Sequence, residues 1–339
     1  MDTLSASIAL FVGAAVIIAL AGSRMSRLAD RLADCTGLGE ALFGGIILAA
    51  ATSLPDLAAT VTAAVQDRPA LATSNIMGSM AANIAFLAVG DMLYRRANLE
   101  HAAASPANLS LSALSIALIT LPVMAMIGPP IEVWIVHPAT FAILLAYPYG
   151  YHLVRLAHTK PMWKAVHTAQ TVEDVPKADA QAANSTTLWV RFASLALVVA
   201  VAAWVIMNAA GTIADHTALS DSVVGALLTG VFTSLPELVT TIAAIRAGAL
   251  TLAFGNIVGT NCFNVVVIAF ADLAYVEGSI YQAVTTSEVL WGLLSILMMS
   301  ILLLGLVRRQ RYGIGRIGFE SALVLLLWLA AAAASLATL

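Results

Sequence analysis

Long apolar runs alternate with short polar breaks along almost the whole chain. The runs fall near residues 4–22, 38–65, 70–93, 108–128, 131–154, 187–209, 219–246, 250–275, 286–307 and 315–338. Charged, glycine or proline breaks separate them, from Arg24 to Asp34, Asp67 to Pro69, Arg95 to His101 and Gly128 to Pro130. Further breaks lie at Asp215, Arg246 to Gly248, Glu277 to Gly278 and Arg308 to Arg311. About 20 apolar residues carry a helix across a bilayer. The runs are too long for strands, whose unpaired edges lipid does not tolerate. The pattern therefore predicts an all-α polytopic membrane protein with ten transmembrane helices.

Composition narrows the class without changing it. The 339 residues are 60% hydrophobic and 10% charged, against roughly a quarter charged in soluble domains. So few charges cannot cover a soluble body of this size. Two cysteines, Cys35 and Cys262, exclude a disulfide scaffold, and a net charge of −3 gives no basis for a nucleic-acid partner. Charge instead orients the chain in the lipid bilayer. No basic residue precedes the first run and Arg24, Arg27 and Arg31 follow it, which predicts a retained first span with the N-terminus outside. Ten alternating spans then gather 15 of the 16 basic residues on the inside, with Arg68 alone outside. Both termini are expected outside, in a multi-pass protein of the cell (plasma or inner) membrane.

The chain also repeats itself. An offset of 181 residues aligns Leu38–Asp91 with Leu219–Asp272 without a gap, giving 17 identities over 54 positions. Thirteen of them lie between Thr52 and Asn83, among them Thr52/Thr233, Ser53/Ser234, Pro55/Pro236, Asn75/Asn256, Gly78/Gly259 and Asn83/Asn264. At the most polar position an acid faces an acid, Asp56 with Glu237. Five spans per half is an odd number, so the two halves have inverted topology, an architecture that puts substrate sites near the bilayer midplane between repeats. The expected division is a first half at 1–156 (repeat 38–91), a cytoplasmic linker at 157–186, and a second half at 187–339 (repeat 219–272).

The repeat motif carries the chemistry. Thr52-Ser53-Leu54-Pro55-Asp56-Leu57 and Thr233-Ser234-Leu235-Pro236-Glu237-Leu238 each lie about half-way along an apolar run. A charged side chain there costs roughly 2.5–3.5 kcal/mol on insertion scales, so these acids have no inexpensive structural role. Each proline lacks an N–H and is expected to kink its helix, freeing carbonyls at Ala51 and Phe232. The following helices add Ser79 with Asn83 and Thr260 with Asn264, each pair at helical spacing. Hydroxyls, amides and two carboxylates form an all-oxygen set that suits Na⁺ or Ca²⁺ over softer metals. Single residues have plainer readings. Serine and threonine hydroxyls often bond their own helix backbone, a lone proline is usually structural, and Asn75 and Asn256 are expected to tie helices together.

Thr-Ser-Leu-Pro-Asp/Glu-Leu followed by Gly-Asn-Ile-x-Gly-Ser/Thr-x-x-x-Asn, in two copies, resembles the paired alpha repeats of the cation/calcium exchanger (CaCA) superfamily, in its sodium/calcium exchanger branch. The resemblance implies alternating access, with the first and sixth helices sliding against an ion-holding core. By motif position it implies ligation by Thr52, Ser53, Asp56, Ser79 and Asn83, with Thr233, Ser234, Glu237, Thr260 and Asn264 opposite. It adds the backbone carbonyls of Ala49 and Gly230. The chain departs from the family pattern with Asp56 for the usual glutamate, Ser74 for glycine, Met80-Ala81-Ala82 for Asn-Ile-Phe, and Asn264 where prokaryotic members carry an acid.

The expected function is secondary active antiport of Na⁺ against Ca²⁺, without enzymatic chemistry or a resident cofactor, by a chain working as a monomer. The alternatives are Ca²⁺/H⁺ exchange on the same fold, and a cation channel or membrane sensor, for which no wide pore-lining ring or sensor domain is visible. Asp91 and Asp272 end their helices in both copies and are read as structural. Glu40 and Asp221 are read as helix caps, Glu320 as a partner of nearby arginines, and both cysteines as packing residues. The six histidines have no metal-ligand spacing.

Overall fold

The computed structural model describes residues 3–36, 40–94, 96–131, 133–160, 166, 185–215, 220–311, 313 and 317–337. The expected linker lies outside them except for its ends and residue 166. The described chain is helical, with one isolated antiparallel bridge between Val133 and Val136. Its long helices are α1 (Thr3–Thr36), α2 (Ala41–Thr52), α3 (Leu54–Val65), α4 (Pro69–Leu93), α5 (Pro106–Ile127) and α6 (Pro138–Thr159). The second half supplies α7 (Ser185–Asp215), α8 (Asp221–Ala247), α9 (Leu250–Ala274), α10 (Thr286–Arg308) and α11 (Phe319–Ala337).

Seven of these helices are long and apolar enough to cross a bilayer, and the bent pair α2–α3 makes an eighth. α6 and α7 occupy the fifth and sixth apolar runs, with 22 and 31 residues. Two boundaries differ from the pattern. α1 does not stop at Arg24 but continues through Arg27 and Arg31 to Thr36, because straight-chain arginine is a good helix former at a membrane surface. The fifth run begins its helix only at Pro138, where the His137 side chain accepts from the Ala139 N–H and proline takes the first turn. The residues before it close the small Val133–Val136 bridge.

α4 and α9 form the centre and are buried along most of their length. Their interlock with the other half follows from glycine. A Cβ on Gly78 of α4 would run into the Ala226 backbone of α8, and one on Gly259 of α9 into the Gly45 backbone of α2. These are the same contact at an offset of 181, so each central helix seats in the broken helix of the opposite half. α1 pairs with α7 at the periphery, with Ala14, Ile18 and Ala202 packed together, while Leu10, Val16, Leu197 and Val201 stay exposed. Inside a membrane those exposed side chains meet lipid rather than water.

The helix-ending acids anchor loops in both copies. Asp91 accepts from the Leu99 and Gly318 N–H groups at 2.6 and 2.8 Å. Asp272 accepts from the Ile280 and His137 N–H groups at 2.9 Å each. Leu99 pairs with Ile280 and His137 with Gly318 at the same 181-residue offset, so the duplication extends beyond the motif into these knots. Glu320 pairs with Arg308 at 3.3 Å, and Asp221, in the first turn of α8, pairs with Arg68 at 2.5 Å.

Candidate cation-binding site

Both motif helices are interrupted in the same way. A wide π-helical turn, Gly44–Leu48 in α2 and Val224–Thr229 in α8, precedes each motif, a feature that recurs at functional sites. The α-helical path then breaks at Ser53 and Ser234, whose φ/ψ are −85°/1° and −85°/3°. The first break bends the chain by 47°. The break thus falls on the serine, two residues before the proline. Pro55 and Pro236 start the new helix, where their missing N–H needs no partner. Asp56 and Glu237 consequently lie in the first turn of a helix, where the backbone dipole favours negative charge.

Thr52, Ser53, Asp56, Ser79, Asn83, Thr233, Ser234, Glu237, Thr260 and Asn264 all have zero exposure. Ala49 and Gly230 are buried with them. Bonds within and between the halves join this set. Ser79 Oγ shares its one proton between Asp56 Oδ1 at 3.2 Å and the Gly230 carbonyl at 3.0 Å, and lies 3.4 Å from Thr233 Oγ1. Asn264 Nδ2 donates to Asp56 Oδ2 at 3.3 Å. Glu237 faces Asp56 closely enough for electrostatic repulsion between them. Thr52 and Thr233 donate to the Leu48 and Thr229 carbonyls at 3.1 and 2.8 Å, and Ser234 donates to Gly230 at 2.8 Å. The Gly230 carbonyl therefore already accepts from three side chains, Ser79, Thr233 and Ser234, and the Ala49 carbonyl accepts from Thr52 at 3.2 Å.

Six buried oxygens of the set have no hydrogen-bond partner: Ser53 Oγ, Asn83 Oδ1, both Glu237 oxygens, Thr260 Oγ1 and Asn264 Oδ1. A native interior pairs most of its polar atoms, and an unpartnered buried carboxylate is the most expensive exception. Both asparagines tie their NH₂ ends to the protein and leave their oxygens free. Oxygens without donors, including two carboxylate oxygens, fit a hard cation. Among the described residues no three His, Cys, Asp or Glu side chains gather in metal-holding geometry, so such a site relies on neutral oxygens beside its two acids.

Around this set the asparagines read as ties do tie helices. Asn75 donates to Thr60 at 3.1 Å, and Asn256 donates to Thr241 at 3.3 Å, which is the same bond in each half, and to Thr240 at 3.1 Å. One participant escapes the motif reading. Asn261 accepts from Asn83 at 3.2 Å and donates to the Met80 carbonyl at 3.1 Å; the signal that could have found it is its misalignment with Met80. A cavity of about 160 Å³ lies beside the set, lined by Pro55, Thr62, Gln66, Asn75, Trp204 and Thr229 among others. It runs toward the Gln66 end of α3.

The profile of the family described as "Sodium/calcium exchanger protein" matches residues 6–146 and 186–337. The chain belongs to this family. It is a family of membrane exchangers, not of enzymes. The putative antiporter CaxA of Alkalimonas amylolytica is 34% identical over 126 residues, covering 36% of this chain and 39% of that protein. The sodium/calcium exchanger MaX1 of Methanosarcina acetivorans is 38% identical over 73 residues, covering 20% of this chain and 21% of that protein. The inner membrane protein YrbG of Escherichia coli strain K12 is 37% identical over 81 residues, 24% of each chain. The chain thus aligns with about two fifths or less of these relatives' lengths. A solved structure of the sodium-calcium exchanger NCX_Mj, soaked with 2.5 mM Na⁺ and 1 mM Sr²⁺, has a TM-score of 0.67 at 19% identity. The match covers 98% of this chain and 99% of that one, and it establishes the fold.

Proposed function

We propose that this chain exchanges Na⁺ for Ca²⁺ by alternating access, through ten spans in two inverted halves with both termini outside the cell membrane. The observation that carries the reading is the group of six unpartnered oxygens drawn from both repeats. The carboxylates of Asp56 and Glu237 together balance one Ca²⁺, and Na⁺ can occupy the same oxygens only when Ca²⁺ has left. That exclusion couples the two fluxes. Ser53, Asn83, Thr260 and Asn264 complete the coordination with neutral oxygens, and Thr52, Ser79, Thr233 and Ser234 shape the shell through backbone and carboxylate bonds. Gly230 and Ala49 contribute carbonyls already engaged by hydroxyls. The cavity beside Asn75 and Thr229 supports a route from the Gln66 end, which the basic-residue asymmetry assigns to the outside. MaX1 and NCX_Mj are named sodium/calcium exchangers and CaxA a putative antiporter, which agrees with this reading.

The test is ⁴⁵Ca²⁺ uptake by purified protein in proteoliposomes under an outward Na⁺ gradient, with and without a pH gradient. Uptake driven by Na⁺ at equal pH supports the proposal. Uptake that follows only the pH gradient replaces Na⁺ with H⁺ as the coupling ion. Flux that needs no counter-ion overturns antiport in favour of a channel, and full activity in Glu237→Ala overturns the site.

A further inference from the structure

The two halves supply corresponding residues to the candidate site, yet they hydrogen-bond them differently. Asn261 Nδ2 donates to the Met80 backbone carbonyl at 3.1 Å. A carbonyl only accepts, so this bond fixes which end of the Asn261 amide faces Asn83. That end is Oδ1, and it accepts Asn83 Nδ2 at 3.2 Å. An oxygen cannot donate, so Asn83 must present its NH₂ there. Its Oδ1 is then directed elsewhere, buried and without a partner.

Met80 occupies the mirrored position in the first half and offers a thioether in place of an amide. Asn264, the counterpart of Asn83, sends its Nδ2 to Asp56 Oδ2 instead, at 3.3 Å. Asp56 therefore accepts Ser79 on one oxygen and Asn264 on the other. Glu237 accepts neither kind of donor: both its oxygens are free, and so is Thr260 Oγ1, the counterpart of Ser79 Oγ.

Resting on the cation-exchange reading, we propose that Asn261 is a positioning residue that locks Asn83 with its oxygen toward the cation, and that the Met80/Asn261 inequality gives the two acids different roles. Glu237 grips the ion directly, while Asp56 acts as a hydrogen-bonded counter-charge. Asn261 itself touches no ion. It acts through Asn83, and the acids differ because only one of the two amides is held away from a carboxylate.

The experiment is equilibrium ⁴⁵Ca²⁺ binding to detergent-purified protein, with Na⁺ as displacing ion, on a mutant cycle. Asn261→Met introduces the side chain that the first half already accommodates at the mirrored place. Asn261→Ala is the second variant should the first fail to purify as a monodisperse species. Expected is a loss of Ca²⁺ affinity of about tenfold in either variant, in the range for outer-shell partners of metal ligands. Asn83→Ala is expected to lose a similar amount, and the double variant no more than twofold beyond the worse single one. A packing role for Asn261 would give additive losses instead, because its effect would not run through the Asn83 oxygen. Additive losses, or affinity within twofold of the unaltered protein, overturn the positioning role. Glu237→Gln is expected to lose more affinity than Asp56→Asn, and the reverse order overturns the division between the acids. An unaltered protein that binds neither Ca²⁺ nor Na⁺ overturns the cation-exchange reading and this inference together. Binding that survives with additive losses overturns this inference alone.

Discussion

Glu100 gives the sharpest test of the anchoring knots. It lies in the one-turn helix Leu99–Ala102 after α4 and is only 4% exposed. Its Oε1 accepts Ser321 Oγ at 2.6 Å, while its Oε2 is buried without a partner. Burial first, then the nearby charge of Asp91, pushes its carboxyl up from an ordinary 4.5 to about 7. Glu320 adds to the negative field and is itself paired with Arg308; Asn98 precedes the turn and His101 lies within it. At the mirrored position the second half has Tyr281, a neutral phenol 3.2 Å from Thr140 Oγ1. The first half therefore holds an ionisable group where the second holds none that titrates near neutrality. Because the folded state binds this proton more tightly than the unfolded chain, its contribution is complete below about pH 4.5 and is lost as pH rises toward 7. At about 1.4 kcal/mol per pH unit the gap amounts to roughly 3 kcal/mol as an upper bound. Glu100→Gln keeps the shape and an acceptor oxygen but removes the titration. Thermal unfolding in detergent from pH 5 to pH 8 should show the unaltered protein losing several degrees that the variant retains, with the variant the more stable above pH 7. Equal pH slopes for the two proteins would refute the assignment.

Three further predictions concern the scaffold. Asp272 accepts four donors, from Ser279, Ile280, His137 and Thr140; Asp272→Asn turns an NH₂ toward two of them and should cost about 3 kcal/mol in an unfolding titration. Gly259→Val should abolish the folded, monodisperse species on size exclusion, because its side chain would enter the Gly45 backbone, whereas Gly13→Val, with nothing within 4 Å of a Cβ there, should leave the elution profile unchanged. Asp221→Asn breaks an ion pair whose side chains are 45% and 40% exposed, so it should cost under about 1 kcal/mol, and less at high salt.

Much of this architecture was legible because the duplication is written in the residues themselves. An offset of 181 located the motif, the paired acids and the helix-ending aspartates, and hydropathy located the runs that became helices. Local choices were less legible. A proline deep in an apolar run reads as a kink at the proline, yet the chain breaks at Ser53 and Ser234 and uses each proline as a helix start. The preceding π turns leave no sequence mark beyond small residues, since they arise where α4 and α9 press into the opposite half. Arginines read as marking a membrane surface do not mark a helix end, and α1 runs past them.

The pairing of amides lay further out of reach, because it depends on which residue of one half meets which of the other. Bonds that hold the broken helices and their ties are symmetric: Thr52 to Leu48 with Thr233 to Thr229, and Asn75 to Thr60 with Asn256 to Thr241. Asymmetry appears among bonds that face the oxygen cluster, within a half and between halves: Ser79 meets Asp56 while Thr260 Oγ1 has no partner, and Asn83 meets Asn261 while Asn264 meets Asp56. Under the proposed function this partition has a physical reason. The symmetric bonds hold the broken helices and their ties whatever ion is present, so a change there weakens the scaffold. Atoms facing the cluster are completed by a cation, so a change there alters which cation fits. Divergence after duplication therefore concentrates where it changes selectivity without loosening the fold, and Met80 opposite Asn261 is such a position.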